Sequence, residues 1–228
     1  AVTVNKAQAL VPGGGQISFG GRIDWADEAQ SFKGRVGLNT GRLRDFLTWA
    51  GMDVATLPEN TLMSLNWTAD IMSDWADWSM INIDGKLDDS TISGTLSGTY
   101  AGSINGFDLV TDRLNLDRYW PKTLSQSPIE TLPTTMRATA DVLSWDGVNY
   151  RDLSFEAIGR DTSIEIKNLS ATAFDGTIEI SFSSDNVNGW TGLAGNYSLE
   201  NINLKQVSYA YPQLGDVAMR VEGPVRAY

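Results

Sequence analysis

The chain of 228 residues contains no cysteine and no histidine. These residue types supply the ligands of most structural zinc sites and the reactive groups of many nucleophilic enzymes. Their absence therefore excludes zinc sites built on Cys or His, and it excludes Cys–His nucleophile–base pairs. The sequence also has no run of about 18 apolar residues that would predict a transmembrane helix, and no signal peptide is recognisable. We therefore expect a mature chain or a fragment of a longer one.

Basic residues are scarce. The 17 Lys and Arg residues are outnumbered by 28 Asp and Glu residues, which gives a formal net charge of -11. Phosphate backbones and anionic lipid headgroups both attract clustered cations, so this balance argues against nucleic acid and against docking on anionic headgroups. Apolar residues make up 42% of the chain, aromatic residues 10% and charged residues 20%. This composition is typical of a globular protein.

Apolar and polar residues alternate along most of the chain. The segment MSLNWTADI (63–71) is one example, and a period of two predicts a strand with one apolar face. About ten such segments follow one another at short spacing, separated by turn clusters such as KLDDST, SWDGVN, GRDTS and AFDGT. Parallel strands would need long crossovers. The sequence therefore predicts a mainly β protein: an extended antiparallel meander sheet, curled into a groove or half-barrel, with one or two short helices.

One helix is predicted over GRLRDFLTWAGM (41–52), with Thr40 as N-cap and Gly51 as stop signal. A second short helix is predicted in LKQVSYAYPQL, closed by Pro212. The segment KTLSQSPIETLPTT (122–135) favours a linker. We therefore expect a first β unit over 1–121 and a second over 136–228 that continues the same sheet.

The two predicted units resemble each other. Residues 65–94 align with 136–166, because both contain a strand ending in Thr-Ala-Asp, a Trp-bearing turn, a second alternating strand and an acidic turn. Residues 32–47 align with 193–208. This similarity predicts a recurring β unit that builds one continuous apolar face.

Carboxylates are frequent, but no catalytic constellation is evident. The closest groups are Asp88–Asp89, Asp24–Asp27–Glu28 and Asp74–Asp77, all in predicted turns, where Asp is a favoured residue. DGKLDDSTISG lacks the ligand spacing of a calcium loop, and no Lys-Ser/Thr follows GGGQISFGG. We therefore predict a protein that is not an enzyme and that has no metal or cofactor.

Several segments together resemble the AsmA family of bacterial envelope proteins. The sharpest are LDDSTISGTLSG (87–98) and DRLNLDRYWP (112–121), and FKGRVGLNTGRLRDFLTWAGMD is similar to the strand–helix segment of that family. The matching positions are Asp88, Gly94, Leu114, Leu116, Asp117, Arg118, Tyr119 and Pro121.

The resemblance implies a role in outer-membrane biogenesis. AsmA-like proteins are anchored in the inner membrane of Gram-negative bacteria by an N-terminal helix, with their bulk in the periplasm. Some larger relatives form β-sheet grooves that carry phospholipid. Since this chain shows no anchor, the resemblance implies a soluble periplasmic portion whose partners are phospholipid and outer-membrane assembly proteins.

The apolar face has two possible uses, a closed core or an open groove for acyl chains, and the sequence does not separate them. The predicted groove-lining residues are Met63, Leu65, Trp67, Ile81, Ile83, Ile164, Ile166, Ile178, Ile180 and Phe182. A second hypothesis is a scaffold for outer-membrane protein assembly that uses edge strands or the SDWADW turn, with Trp75 and Trp78 as contact residues. A third is a carbohydrate-binding β-sandwich, suggested by the eight Trp residues.

Overall fold

The computed structural model describes residues 1–26, 29–55, 57–74, 76–119, 131–189, 191–212 and 225–227. The chain forms two compact units. Unit 1 contains the described residues up to Asp112 together with Arg118 and Tyr119. Unit 2 contains Arg113–Asp117 and the described residues from 131 onward. Most of the predicted linker, 122–135, lies outside the described residues.

Unit 1 is built from strands that pair antiparallel in chain order. Its elements are β1 (Val2–Val11), β2 (Gly15–Ala26), β3 (Ala29–Thr40), α1 (Leu43–Trp49), β4 (Leu65–Ser73), β5 (Asp77–Leu87), β6 (Ser90–Thr99) and β7 (Ile104–Asn115). The last residues of β7 belong to unit 2. A four-residue helix, α2 (Leu116–Tyr119), comes directly after β7.

Unit 2 repeats the same antiparallel order. Its elements are β8 (Thr135–Trp145), β9 (Val148–Arg160), β10 (Ser163–Ala173), β11 (Gly176–Ser184), β12 (Ala194–Glu200), α3 (Leu204–Ala210) and β13 (Val225–Ala227). The predicted mainly β class and antiparallel meander are confirmed. The described residues form thirteen strands rather than about ten, and the strands that the sequence pattern does not single out include β1 and β7.

Acidic turns make the meander tight. Asp88, Asp146, Asp161 and Asp175 have φ angles of 50°, 51°, 52° and 63°, in the left-handed region. Two-residue hairpin turns need such angles to match the twist of the strands, and Asp tolerates them better than most residues.

Of the carboxylates noted in the sequence, Asp88 and Asp89 form the β5–β6 turn and Asp74 lies between β4 and β5. Asp24 instead lies within β2 and Asp77 begins β5, and Asp27 and Glu28 lie outside the described residues.

The helices are short. Helix α1 begins at Leu43 rather than 41, and the predicted N-cap Thr40 is wrong, because Arg42 occupies that position without a side-chain cap. The stop at Gly51 is confirmed: its φ is +85°, its N–H donates to Thr48 O, and Met52 N–H donates to Leu47 O at 3.0 Å. This pattern is a Schellman C-cap.

The second predicted helix is confirmed as α3, and α2 adds a third. None of the helices among the described residues is long and apolar enough to cross a membrane.

Both units contain the same irregularity after the Thr-Ala-Asp strand. The alanines of that motif, Ala69 and Ala140, are buried. The next strand then carries a left-handed residue, Asn82 with φ 52° in unit 1 and Asp152 with φ 53° in unit 2. In unit 1 this residue belongs to a β-bulge, since the register of β5 shifts against both neighbouring strands.

Candidate functional site

One face of the unit 1 sheet is almost entirely apolar. Residues directly opposite each other in antiparallel strands point to the same face, and the register therefore assigns each side chain to a face. We call the apolar side chains that share this side of β2–β7 the apolar face. Its members are Ile17, Phe19, Ile23, Trp25, Phe32, Val36, Leu38, Leu65, Trp67, Ala69, Ile71, Trp78, Met80, Ile83, Leu87, Ile92, Leu96, Ile104, Phe107 and Leu109.

Most of the apolar face remains partly open to solvent. Only Leu38 and Ala69 are fully buried, and every other member keeps a partly accessible side chain. A continuous band of partly exposed apolar side chains across six strands differs from the scattered apolar residues of an ordinary protein surface, and such bands mark binding surfaces.

Glycines make room for the large side chains of this face. Gly85 lies opposite Trp67, and Gly98 lies opposite Trp78. A Cβ atom at Gly98 would approach Trp78 Cζ2 to 2.6 Å, so the indole lies directly against the glycine backbone. Trp78 Nε1–H also donates to Thr99 O at 3.1 Å.

The surroundings of Trp78 differ from the prediction. The sequence pattern predicts a turn at this position, but Trp78 lies in β5, packed and hydrogen-bonded within the sheet. The other predicted contact residue, Trp75, lies outside the described residues. The predicted partner contact therefore has no exposed turn tryptophan to support it in the described part of the chain.

The opposite face of unit 1 is polar and contains one predicted groove residue. Ile81 pairs with Asp70 on this face, whereas Met80 pairs with Ile71 on the apolar face. The β-bulge at Ile81 and Asn82 places Ile81 on the polar face. The extra residue of the bulge reverses the alternation of side chains in the part of β5 that precedes it. The prediction of Ile81 beside Ile83 on one face is wrong.

Two depressions in the described part of unit 1 are open to solvent. One has a volume of about 510 Å³ and is lined by residues of both faces around Phe32, Ser73 and Trp78, which are paired across β3, β4 and β5. Another, of about 370 Å³, is lined by Lys33, Asp70 and their neighbours. A ligand of the apolar face would therefore lie along an exposed surface.

The remaining predicted groove residues divide between the units. Leu65, Trp67 and Ile83 lie on the apolar face, and Met63 lies just before β4, exposed. The five from unit 2 share one face of β10 and β11, as shown by the pairs Ile164↔Ser184, Ile166↔Phe182, Leu169↔Ile180 and Ala171↔Ile178.

The unit 2 face is more closed. Its buried cluster consists of Ala140, Leu143, Leu153 and Ala171, with Leu114, Leu116, Tyr150 and Leu169 packed against it. Of the fully buried apolar residues described, ten lie in unit 2 and four in unit 1. The open surface is therefore mainly a property of unit 1.

A buried carboxylate ties together one end of unit 1. Asp88, whose side chain is 3% exposed, accepts hydrogen bonds from Met63 N–H at 2.7 Å and Ser64 N–H at 2.8 Å. Tyr119 Oη–H donates to the same carboxylate at 2.7 Å, and Arg118 lies 3.4 Å from it. The segments 87–98 and 112–121, which carry the resemblance, thus meet at this carboxylate.

The electrostatics of Asp88 are those of a structural anion. Burial acts to raise the pKa of Asp88, but the hydrogen bonds from Ser64, Tyr119 and Met63 and the charge of Arg118 lower it below its ordinary value. Burial and the bond to Asp88 raise the pKa of Tyr119. Asp88 therefore stays ionised and Tyr119 stays protonated at neutral pH.

A second group of hydrogen bonds holds the connection between α1 and β4 in place. The Arg44 guanidinium donates to Val54 O at 2.7 Å and Pro58 O at 2.9 Å, and it also contacts Thr61. Arg118 donates to Asn60 O of the same connection. Sequence reasoning missed Arg44, because no spacing rule marks an arginine that binds backbone carbonyls.

In unit 2, the Asp117 carboxylate holds the β8–β9 turn. It accepts hydrogen bonds from Asp146 N–H at 2.6 Å and Gly147 N–H at 3.0 Å. The Leu-Asp-Arg-Tyr segment therefore has a structural role at each of its polar residues.

Comparisons with protein-family models, with curated proteins and with solved structures find no significant match. A functional assignment therefore depends on the geometry and the sequence of the chain itself.

Proposed function

We propose that this chain is a non-enzymatic periplasmic module of an AsmA-like protein, which serves outer-membrane biogenesis by binding phospholipid acyl chains along the apolar face of unit 1. The partly exposed band of apolar side chains across β2–β7 is the observation that carries the proposal. The similarity of segments 87–98 and 112–121 to the AsmA family supports the cellular setting. In that setting the whole protein is anchored in the inner membrane.

An open face of this kind suits a ligand that is held weakly and passed on. Burying one methylene is worth about 0.8 kcal/mol, so covering one side of an acyl chain of about 16 carbons is worth roughly 6 kcal/mol. This value alone corresponds to a dissociation constant of about 0.04 mM, and the cost of ordering the chain weakens it to the order of 1 mM or more. A carrier needs such reversible binding, whereas an enclosed pocket would retain its ligand.

Native mass spectrometry of the purified chain, with extraction and identification of co-purifying lipids, tests the proposal directly. The sharpest variant pair is Ile83→Asn and Ile81→Asn, because these isoleucines are two positions apart, similarly half-buried, and on opposite faces. We expect Ile83→Asn to reduce lipid occupancy several-fold and Ile81→Asn to leave it unchanged.

The result that contradicts the proposal is a chain that stays free of lipid after incubation with phospholipid vesicles. Equal loss of lipid in both isoleucine variants would contradict the assignment of the ligand to the apolar face. Circular dichroism of each variant shows whether the strands remain intact.

A protein-interaction scaffold for outer-membrane assembly is the second candidate, and one observation favours it. β1 stands at the end of the strand order, pairs with β2 alone among the described strands, and is ten residues long. A free strand edge accepts a partner strand through its backbone groups. Replacing Gln8, which lies in this strand, with Pro should abolish capture of a strand-donating partner while leaving lipid occupancy unchanged.

A further inference from the structure

The connection between β3 and β4 carries large apolar side chains that point into solvent. Trp49, at the end of α1, is 63% exposed, and Met52, just after the helix, is 59% exposed. We call Trp49, Met52 and the two small residues between them the α1 tip. No charged residue occurs from Thr48 to Met52. Exposing this much apolar area costs free energy unless the surface meets a partner.

The α1 tip is held in place by bonds on both of its sides. The Schellman bonds at Gly51 and Met52 close the helix end, and the ring of Phe46 lies 5.9 Å from that of Trp49. Arg44 binds the backbone of the loop after the tip at Val54 and Pro58. The exposed side chains are thus presented on an ordered support.

The charges next to the α1 tip sum to zero. Arg42 and Asp45 form an ion pair at 2.6 Å. The charge of Arg44, whose hydrogen bonds go to carbonyl oxygens, is matched by that of Asp53, which accepts from Ala55 N–H. A surface without a net cation gains nothing from anionic headgroups, and an indole beside a methionine suits the headgroup–acyl boundary of a neutral bilayer.

The α1 tip is also close in the chain to the apolar face. Leu43 N–H, at the start of α1, donates to Met63 O at 2.9 Å, and Met63 is two residues before Leu65, a member of the face. Met63 is itself exposed. Exposed apolar side chains therefore occur both at the end of α1 and at the point where the same connection enters β4.

From these observations we propose that the α1 tip is the bilayer-contacting end of unit 1, which inserts Trp49 and Met52 into a zwitterionic phospholipid surface so that an acyl chain can reach the apolar face. This inference rests on the proposed function, because it assigns the end at which lipid enters. It names a lipid surface as the partner, and a second protein copy is an outcome that would overturn it.

Flotation of the full chain with phosphatidylcholine vesicles tests this inference. The double variant Trp49→Ala/Met52→Ala should lower the partition coefficient about tenfold or more, because it removes the apolar area that enters the bilayer. Trp145→Ala is the matched control: Trp145 is 54% exposed and lies at the end of β8 in unit 2, outside the apolar face of unit 1. Its partition coefficient should change by less than about twofold.

Fluorescence quenching by brominated phosphatidylcholine provides a readout that does not depend on folding of the double variant. The conservative variant Trp49→Phe keeps a ring beside Phe46, and it should lower the quenching seen in the unaltered chain, leaving the part that comes from tryptophans of the apolar face such as Trp67 and Trp78. Undiminished quenching in Trp49→Phe would overturn the inference. So would an unaltered chain that does not float, or a dimer that dissociates when Trp49 is replaced.

Binding of monomeric lysophosphatidylcholine, measured by native mass spectrometry without vesicles, separates the two proposals. We expect the Trp49→Ala/Met52→Ala variant to keep this binding and to lose flotation. An unaltered chain that binds lysophosphatidylcholine but not vesicles would refute the α1 tip inference alone. A chain that floats through Trp49 but binds no lysophosphatidylcholine would refute the proposed function, and with it the role of the α1 tip as a lipid entrance.

Discussion

Replacing Asp88 with Ala should destabilise unit 1 by about 4 kcal/mol. The carboxylate accepts three hydrogen bonds, from Met63, Ser64 and Tyr119, and it balances the largely buried Arg118. Hydrogen bonds to charged groups contribute about 1.5–3 kcal/mol each, and removal of one partner of a buried ion pair costs about 3–5 kcal/mol. Because these terms describe largely the same contacts, we expect a total near the cost of breaking the ion pair alone, about 4 kcal/mol. The loss is a large fraction of the roughly 5–15 kcal/mol typical of a domain.

Urea unfolding followed by tryptophan fluorescence measures this loss. Asp89→Ala is the matched control, because the Asp89 side chain is 79% exposed and stands next in the chain. With a slope of about 2 kcal/mol per molar urea, Asp88→Ala should lower the midpoint of unit 1 unfolding by about 2 M urea. Asp89→Ala should lower it by only a few tenths of a molar. Hydrogen exchange should also show faster exchange of the Met63 and Ser64 amides in Asp88→Ala alone.

The same carboxylate predicts a pH dependence. Since the pKa of Asp88 is lower in the folded protein than the ordinary value of about 3.9, its contribution is complete above that pH and is lost as the pH falls through the folded-state pKa. The difference in free energy of unfolding between the unaltered chain and Asp88→Asn should therefore become smaller below about pH 4. A gap that stays constant down to about pH 2, or an equal loss in Asp89→Ala at neutral pH, would refute the structural role of the Asp88 carboxylate.

Other substitutions test the remaining contacts of the fold. Gly98→Ala should cost about 1–3 kcal/mol in urea unfolding, because its Cβ would meet the Trp78 ring, and it should alter Trp78 emission. Asn203→Ala should cost about 1 kcal/mol by removing the side-chain oxygen that accepts from Gln206 N–H, with little cost if Ser replaces Asn instead. Arg44→Lys should increase proteolysis after Glu59 several-fold without changing the circular dichroism, since lysine cannot bind several carbonyls in the same fork geometry.

The mainly β fold is predictable from the sequence because its signals are local. Alternation identifies each regular strand, and the turn clusters that contain Asp identify the turns, since Asp at positions such as Asp146 and Asp175 adopts the backbone angles that hairpins need. The helix end at Gly51 is equally local. These features depend on a few neighbouring residues, and a pattern read along the chain contains that information.

The site is harder to predict because its geometry depends on non-local contacts. A bulge changes which face a residue occupies, and nothing in the string Met80–Ile83 distinguishes a regular strand from one in which Ile81 joins the polar face. The left-handed Asn82 is the available signal, since Asn is among the residue types that most often tolerate that conformation. The bond between Asp88 and Tyr119 joins residues 31 positions apart, so only a resemblance of the two segments could suggest it.

The side chains that cover each face explain why one face is more open than the other. Bulky side chains lie opposite glycine in both units, as in the pairs of Trp67 with Gly85 and Phe182 with Gly195, so these pairs do not make the difference. In unit 2, Leu114 and Leu116 come from the end of β7 and from α2 and pack against the buried cluster of β8–β10. The apolar alternation in MSLNWTADI therefore predicts a strand equally well in both settings, whereas side chains from other segments decide whether its apolar side is covered or exposed.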